Sequence, residues 1–137
     1  MVSKSKSVSL GSATLTGSAA VVGNAFDTRN NTVVSLRLAY TKGGSATLCR
    51  VIVEGTLVKD NWADAFEVPI ALDLSGSLSA GAVDIPLGAM RYTLDTSATY
   101  HLPVDVAGAH QIRVKALETG TPGGTLAVAA VGVQEGS

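Results

Sequence analysis

Residues 101–133, HLPVDVAGAHQIRVKALETGTPGGTLAVAAVGV, carry the strongest indication of the fold. They read as an extended segment, a tight turn, a strand, a glycine-rich turn and a final apolar strand. The final strand, 125–133, has apolar side chains on both faces, whereas an antiparallel strand normally keeps one face in water. It is therefore expected to be covered on both sides, within a sandwich or against another subunit.

The clearest strand upstream is 32-TVVSLRLAYT-41, in which Val34, Leu36, Leu38 and Tyr40 alternate with polar or small residues. Residues 42–45 (KGGS) have the composition of a hairpin turn, and 46–58 are expected to form the partner strand. The core-facing side chains of that strand are expected to be Thr47, Cys49, Val51 and Val53. The glycine-rich turn 120-GTPGGT-125 is likewise predicted to be a hairpin turn.

The rest of the chain continues the pattern of short strands and turns. Residues 8–22 suit one or two edge strands, 23–31 a turn-rich loop, and 75–89 a low-complexity loop. Further strands are predicted at 67–74, 90–94, 99–104 and 111–119. We therefore predict one all-β antiparallel β-sandwich of seven to nine strands, jelly-roll-like, with little or no helix. Its parts are an extended N-terminal arm or edge strand (1–22) and the β-sandwich domain (23–137).

Composition agrees with a single domain that needs no disulfide or metal to hold it together. A chain of 137 residues can bury one core, and its one cysteine, Cys49, cannot form an internal disulfide. Mid-strand, this thiol is expected to behave as a small buried hydrophobe. No apolar run is long enough for a signal peptide or a membrane helix, so a soluble protein is expected.

The net charge of −1 conceals an uneven distribution along the chain. Residues 1–50 contain six basic residues and one acid, whereas residues 51–110 contain two basic residues and eight acids. This asymmetry could steer one copy onto another or onto a charged scaffold. The simpler interpretation is that the two parts interleave in a sandwich, so that their charges mix. With no basic run, nucleic-acid binding is not expected.

No motif specifies a reaction. His101 and His110 have no second histidine or cysteine at a zinc-ligand spacing, and the acids do not form a calcium loop. Residues 120–125 lack the Lys-Ser/Thr of a phosphate-binding loop. We therefore predict no enzyme, no catalytic, metal or cofactor-binding residue, and no cofactor. A glycan-binding platform of Trp62, Tyr92 and Tyr100 is the alternative, against the simpler role of these aromatics in the core and at the sheet rims.

Assembly is the function that the sequence favours. The two-sided apolar strand and the polar N-terminal segment indicate a homo-oligomer, with a trimer among the arrangements considered. The candidate interface residues come from these two segments: Lys4, Lys6, Val8, Leu10, Ala127, Ala129, Val131 and Val133.

A resemblance gives this assembly a biological setting. Residues 99-TYHLPVDVAGAHQIRVKALETGTPGGTLAVAAV-131 contain Y-x-x-P-V-x-V-x-G, then I-R-V, a glycine-rich turn and T-L-x-V. Together with 32-TVVSLRLAYTKGG-44, this pattern resembles small structural proteins of tailed bacteriophages. The resemblance implies a non-enzymatic virion protein, first a capsid decoration (cementing) protein and otherwise a neck, tail or adhesin component. A virion location after assembly in the host cytoplasm is implied, with a major capsid protein or other virion protein as partner and neither nucleic acid nor membrane bound.

Overall fold

The structure, a computed structural model, describes residues 3–28, 32–70 and 91–135, with residues 3–6 and 132–135 described by their backbone alone. Within these ranges the chain forms nine β-strands and no helix. The strands are β1 (Ser3–Thr14), β2 (Ala20–Asp27), β3 (Val33–Thr41), β4 (Ser45–Thr56), β5 (Phe66–Glu67), β6 (Arg91–Leu94), β7 (Ala98–Asp105), β8 (Gln111–Thr121) and β9 (Thr125–Glu135). The all-β prediction is confirmed. The predicted loop 75–89 lies outside the described residues.

The strands form two antiparallel sheets. Sheet A has the order β1-β9-β3-β7, and sheet B has the order β2-β8-β4-β5, with β6 also pairing with β4. Inward-facing side chains of both sheets belong to one hydrophobic core, an arrangement like a β-sandwich. Sheet A contributes alternate residues of β3, β7 and β9, and sheet B contributes alternate residues of β2, β4, β6 and β8. Leu and Val supply most of this core, so few aromatic side chains are needed to fill it.

The alternation of β3 is confirmed, because Val34, Leu36, Leu38 and Tyr40 are all buried. Of the four residues predicted to face the core from β4, Cys49, Val51 and Val53 do so, whereas Thr47 is exposed. The cause is a bulge: Ala46 pairs with Gly120 and Cys49 with Glu118, so β4 has one more residue than β8 over this interval. One extra residue moves the side chains before it to the other face.

Both predicted hairpins are wrong. The turn at 42–44 connects β3 of sheet A to β4 of sheet B, and the turn at 122–124 connects β8 of sheet B to β9 of sheet A. β3 already has β7 and β9 on its two edges, and β4 has β8 on one edge and β5 and β6 on the other. Glycine-rich composition shows where the chain turns, but not which strands it joins.

The turn-rich loop predicted at 23–31 is also corrected in part, since β2 continues to Asp27. Its pairing with β8 shifts between Val22 and Phe26, so the Gly and Asn residues there form a strand irregularity. At the same edge, the Cα of Gly23 lies 2.9 Å from the position that a Cβ on Gly11 would occupy. Only glycine permits this approach, which brings β1 of sheet A against β2 of sheet B. The predicted boundary between residues 22 and 23 thus falls inside β2.

Candidate interaction surfaces

The outer face of sheet A is built almost entirely from small side chains. Strand register places Ser9, Ala129, Arg37 and His101 in one row across the four strands. The rows on either side contain Ser7, Val131, Ser35 and Pro103, and Ser12, Ala127, Ala39 and Thr99. These side chains are exposed or half-buried. The result is a flat, mostly uncharged surface.

Asp105, paired with Val33, is the exposed acid of this face, and the large polar groups of the three rows described above are Arg37 and His101. They are direct cross-strand partners, and both are exposed. Within the described part of the chain, neither side chain forms an ion pair or a hydrogen bond. A guanidinium and an imidazole that stand side by side among Ala, Ser and Thr are free to bind an acidic group from outside.

The predicted interface residues divide between this face and the core. Ala127 is exposed, and Ala129 and Val131 are half-buried on the outer face of sheet A. Val8 packs against the core, and Leu10 is buried within it. The backbones of Lys4 and Lys6 pair with Gln134 and Gly132, while their side chains and that of Val133 lie outside the described part. The interface itself stays a prediction, and Leu10 has little surface to offer to it.

The outer face of sheet B has a different chemistry, with charges paired across strands. The Arg113 Nε donates to the Glu54 Oε1 at 2.9 Å, and the Lys115 Nζ lies 3.9 Å from the Glu54 Oε2. At the edge, the Arg91 Nε donates to the Glu67 Oε1 at 2.9 Å. Basic and acidic residues from distant parts of the chain therefore meet in space. None of these three pairs joins a basic residue of 1–50 to an acid of 51–110, so the mixing of charges between these two parts of the chain stays a prediction.

The loop 57–65, between β4 and β5, is fastened to sheet B by side chains on its neighbours. The Trp62 ring stacks on the Arg113 guanidinium, whose carbon lies 4.2 Å from the ring centroid. The Asp60 N–H donates to the Gln111 Oε1 at 2.8 Å, and the Thr56 hydroxyl donates to the Asn61 carbonyl. Asp60 has a positive φ of 58°, a conformation that costs energy in residues other than glycine. The surrounding contacts hold it in place here.

This fastened loop exposes the two most accessible large apolar side chains of the described residues. Leu57 is 67% exposed and Val58 is 59% exposed. With Asp64 they line a pocket of about 100 Å³, smaller than the roughly 300 Å³ of a typical small-molecule site. We call Leu57, Val58 and Asp64 the knob. These exposed apolar side chains on an ordered loop make the knob a candidate contact surface.

The three aromatic residues of the alternative interpretation are not brought together on one platform. Tyr92 is fully buried, and its hydroxyl donates to the Val68 carbonyl at 2.8 Å, so it cannot contact a glycan from the surface. Trp62 is half-buried against Arg113, and Tyr100 lies on β7 of the other sheet, its hydroxyl donating to the Thr96 carbonyl at 2.7 Å. The prediction that Tyr92 belongs to a glycan-binding platform is therefore wrong.

Glu118 is a buried carboxylate that sequence reasoning missed. It is fully buried, and its Oε1 accepts hydrogen bonds from the N–H groups of Gly123 and Gly124 at 2.9 and 2.8 Å. Its Oε2 accepts from the Gly43 N–H at 3.0 Å and from the Tyr40 hydroxyl. The acid thus accepts from donors on two of the turns that cross between the sheets, 42–44 and 122–124. Its sequence signal was its position, since it continues the inward series Ile112, Val114 and Ala116.

The protonation states of this region follow from its contacts. Burial alone would raise the pKa of Glu118, but the hydrogen bonds from Gly43, Tyr40, Gly124 and Gly123 outweigh it and lower the pKa below its usual 4.5. Glu118 is therefore ionised at neutral pH. Burial, with the Glu118 hydrogen bond, raises the pKa of Tyr40. Burial also raises the pKa of the Cys49 thiol to about 12, with a smaller effect from Glu118, which makes this thiol unreactive.

The side chains that could hold a metal ion do not come together in the part of the chain that the structure describes. Among the described residues, no three His, Cys, Asp or Glu side chains are placed to hold a metal ion. The His110 Nε2 is buried without a hydrogen-bond partner in this part of the chain, while the His110 N–H donates to the Thr56 carbonyl at 2.7 Å. No helix in the described ranges could cross a membrane.

Comparison with known proteins finds likeness in structure alone. No family model matches the chain, and no curated protein matches it. Among solved structures, the crystal structure of the SPBc2 prophage-derived protein YomS is similar over 98% of this chain and 96% of its own, with a TM-score of 0.57 and 10% identity. A Bacillus endospore appendage (pilus) structure aligns over 98% and 88% with a TM-score of 0.42 and 10% identity. At this identity, the YomS likeness shows a shared fold.

Proposed function

We propose that this chain is a non-enzymatic structural protein of a tailed-phage virion, and within that class a capsid decoration protein. The observation that carries the proposal is the outer face of sheet A. Flat surfaces of small side chains allow a second protein to approach the sheet closely over a wide area. The occurrence of the same fold in a prophage-derived protein supports a phage origin.

We further infer that the sandwich is a jelly roll. β5 and β6 both pair with the edge of β4 that faces away from β8, so the nine strands occupy eight lanes in two sheets of four. The first and last strands are neighbours, and most successive strands alternate between the sheets. Both features belong to the double Greek key of jelly rolls, a fold of many viral capsid proteins and lectins.

Decoration of a particle requires contacts of the subunit with its own copies and with the capsid. We assign these contacts to the outer face of sheet A, which includes the predicted residues Ala127, Ala129 and Val131. The paired charges of sheet B already satisfy one another, so the strands of that sheet offer less to a partner than the outer face of sheet A does.

The proposal is tested by locating the protein and then by altering the face. Cryo-electron microscopy of particles from the source phage should show the chain on the outside of the capsid; density at the neck or tail would favour the other virion roles. Val131→Asp, on the outer face of sheet A, should abolish both self-association and particle binding. Val21→Asp, at an exposed position on β2 of sheet B, is the matched control and should leave both intact. A chain that is monomeric and absent from particles would overturn the proposal.

A further inference from the structure

We propose that the knob of one copy docks on the outer face of sheet A of the next copy, beside Arg37 and His101. The inference rests on the proposed function, to which it adds a partner and a contact: a second copy of this chain, joined head to tail. Two surfaces of complementary chemistry, on different parts of one molecule, support it.

The knob has the composition of a docking anchor. Leu57 and Val58 are more than half exposed, and Asp64 adds a carboxylate to the same pocket wall. Asp64 forms no hydrogen bond or ion pair within the described residues. Because Trp62, Gln111 and Thr56 already fix the loop, docking would cost little further ordering of the chain, and this preorganisation favours affinity.

The outer face of sheet A is apolar and basic around Arg37, whereas the knob is apolar and acidic. Around Arg37 and His101 lie Ala39, Ala129 and Ala127, whose short side chains leave room for two protruding aliphatic groups. The unpaired Arg37 guanidinium offers a bidentate partner to a carboxylate such as Asp64. We call this place on the flat face, where short side chains surround Arg37, the recess. An apolar and acidic knob therefore meets an apolar and basic recess, and charge complementarity favours the recess over an acidic surface as the docking place of the knob.

The contact has to be intermolecular. The knob loop follows β4 of sheet B, and Trp62 fastens it over Arg113 on the outer face of that sheet. The recess faces outward from sheet A, on the other side of the core. A contact between two different surfaces is heterologous, and repetition of it generates a closed ring or an open chain of subunits.

The experiment uses one variant for each side of the contact. Leu57→Asp disables the knob and Arg37→Glu repels it from the recess; both residues are exposed, so both variants should melt like the wild type. In analytical ultracentrifugation we expect the wild type to associate, and each variant alone to associate at least about tenfold more weakly. Val21→Asp serves as the control for an added surface charge and should associate like the wild type.

Mixing the two variants gives the decisive result. The Arg37→Glu chain keeps its knob and the Leu57→Asp chain keeps its recess, so the mixture should form complexes of two chains and no larger species. A mixture that remains monomeric, or a Leu57→Asp chain that associates like the wild type, would overturn the inference. If Leu57→Asp has no effect while Val131→Asp abolishes particle binding, the knob is excluded and the proposed function stands. If neither variant changes association or particle binding, both fail.

Discussion

The carboxylate of Glu118 on β8 and the backbone N–H of Gly124, just before β9, are joined by a 2.8 Å hydrogen bond. The same carboxylate accepts from Gly43, on the turn between β3 and β4. The segment between β1 and β2 reaches this place too, since the Glu118 N–H donates to the Thr16 carbonyl at 2.9 Å and the Leu15 N–H to the Gly124 carbonyl at 2.8 Å. The buried carboxylate therefore joins two crossings between the sheets, and main-chain hydrogen bonds of Glu118 and Gly124 add the third.

Replacement of this acid should cost more than any surface ion pair. In Glu118→Gln, the amide nitrogen cannot accept the hydrogen bonds that one carboxylate oxygen receives, so buried donors lose their partner. Each unsatisfied buried group costs about 1–3 kcal/mol, and we expect unfolding free energy to fall by about 3 kcal/mol in urea denaturation. Glu67→Gln, which breaks only the exposed pair with Arg91, should change little. Equal effects of the two substitutions would contradict a special role for Glu118.

Acid should weaken the same interaction. The pKa of Glu118 is lower in the folded than in the unfolded chain, so its contribution is fully present above about pH 4.5 and is lost as pH falls through the folded-state pKa. A protonated Glu118 resembles glutamine. The difference in unfolding free energy between wild type and Glu118→Gln should therefore shrink below pH 4.5. A difference that stays constant from pH 7 to pH 3 would mean that the ionised form is not favoured by the fold.

Gly124 is expected to tolerate no side chain. A Cβ there would lie 2.4 Å from the Thr41 carbonyl oxygen, 2.5 Å from the Glu118 Oε2 and 2.7 Å from the Gly43 nitrogen. Since two of these atoms are backbone, Gly124→Ala should destabilise the chain by several kcal/mol or prevent folding. Gly44→Ala, on the turn between β3 and β4, meets no atom within 4 Å and is the matched control. Thermal unfolding of the two variants, followed by circular dichroism, tests this difference.

Local pattern explains what could be predicted of this fold. The alternation of Val34, Leu36, Leu38 and Tyr40 is a property of neighbouring residues, so it located β3 and its buried face correctly. The pairing of β3 with β7 and β9 depends on which distant strands share its sheet, and composition does not contain that information. The hairpin expectations failed for this reason. The knob was missed because Leu57 looked like the end of a strand, although β4 ends at Thr56.

Cys49 should resist modification in the folded protein. It is fully buried and its pKa is raised to about 12 by burial, with a smaller contribution from Glu118, so almost no thiolate forms at pH 8. We expect labelling by a thiol-specific disulfide reagent to be negligible in buffer and complete in denaturant. The rate of labelling at low denaturant then reports opening of the sandwich. Rapid labelling of the native chain would indicate that Cys49 reaches solvent without global unfolding.

Trp62 should act as a fastener of the knob loop. Trp62→Ala removes the stack on Arg113 and leaves the loop held mainly by Gln111 and Thr56. A cation–π contact contributes about 0.5–2 kcal/mol, so a fall of about 1 kcal/mol in unfolding free energy is expected, with faster amide hydrogen exchange across 57–65. Arg113→Lys keeps the charge but loses the planar stack and should give a smaller change in the same direction. A glycan-array signal that Trp62→Ala abolishes without any change in loop exchange would instead favour sugar binding.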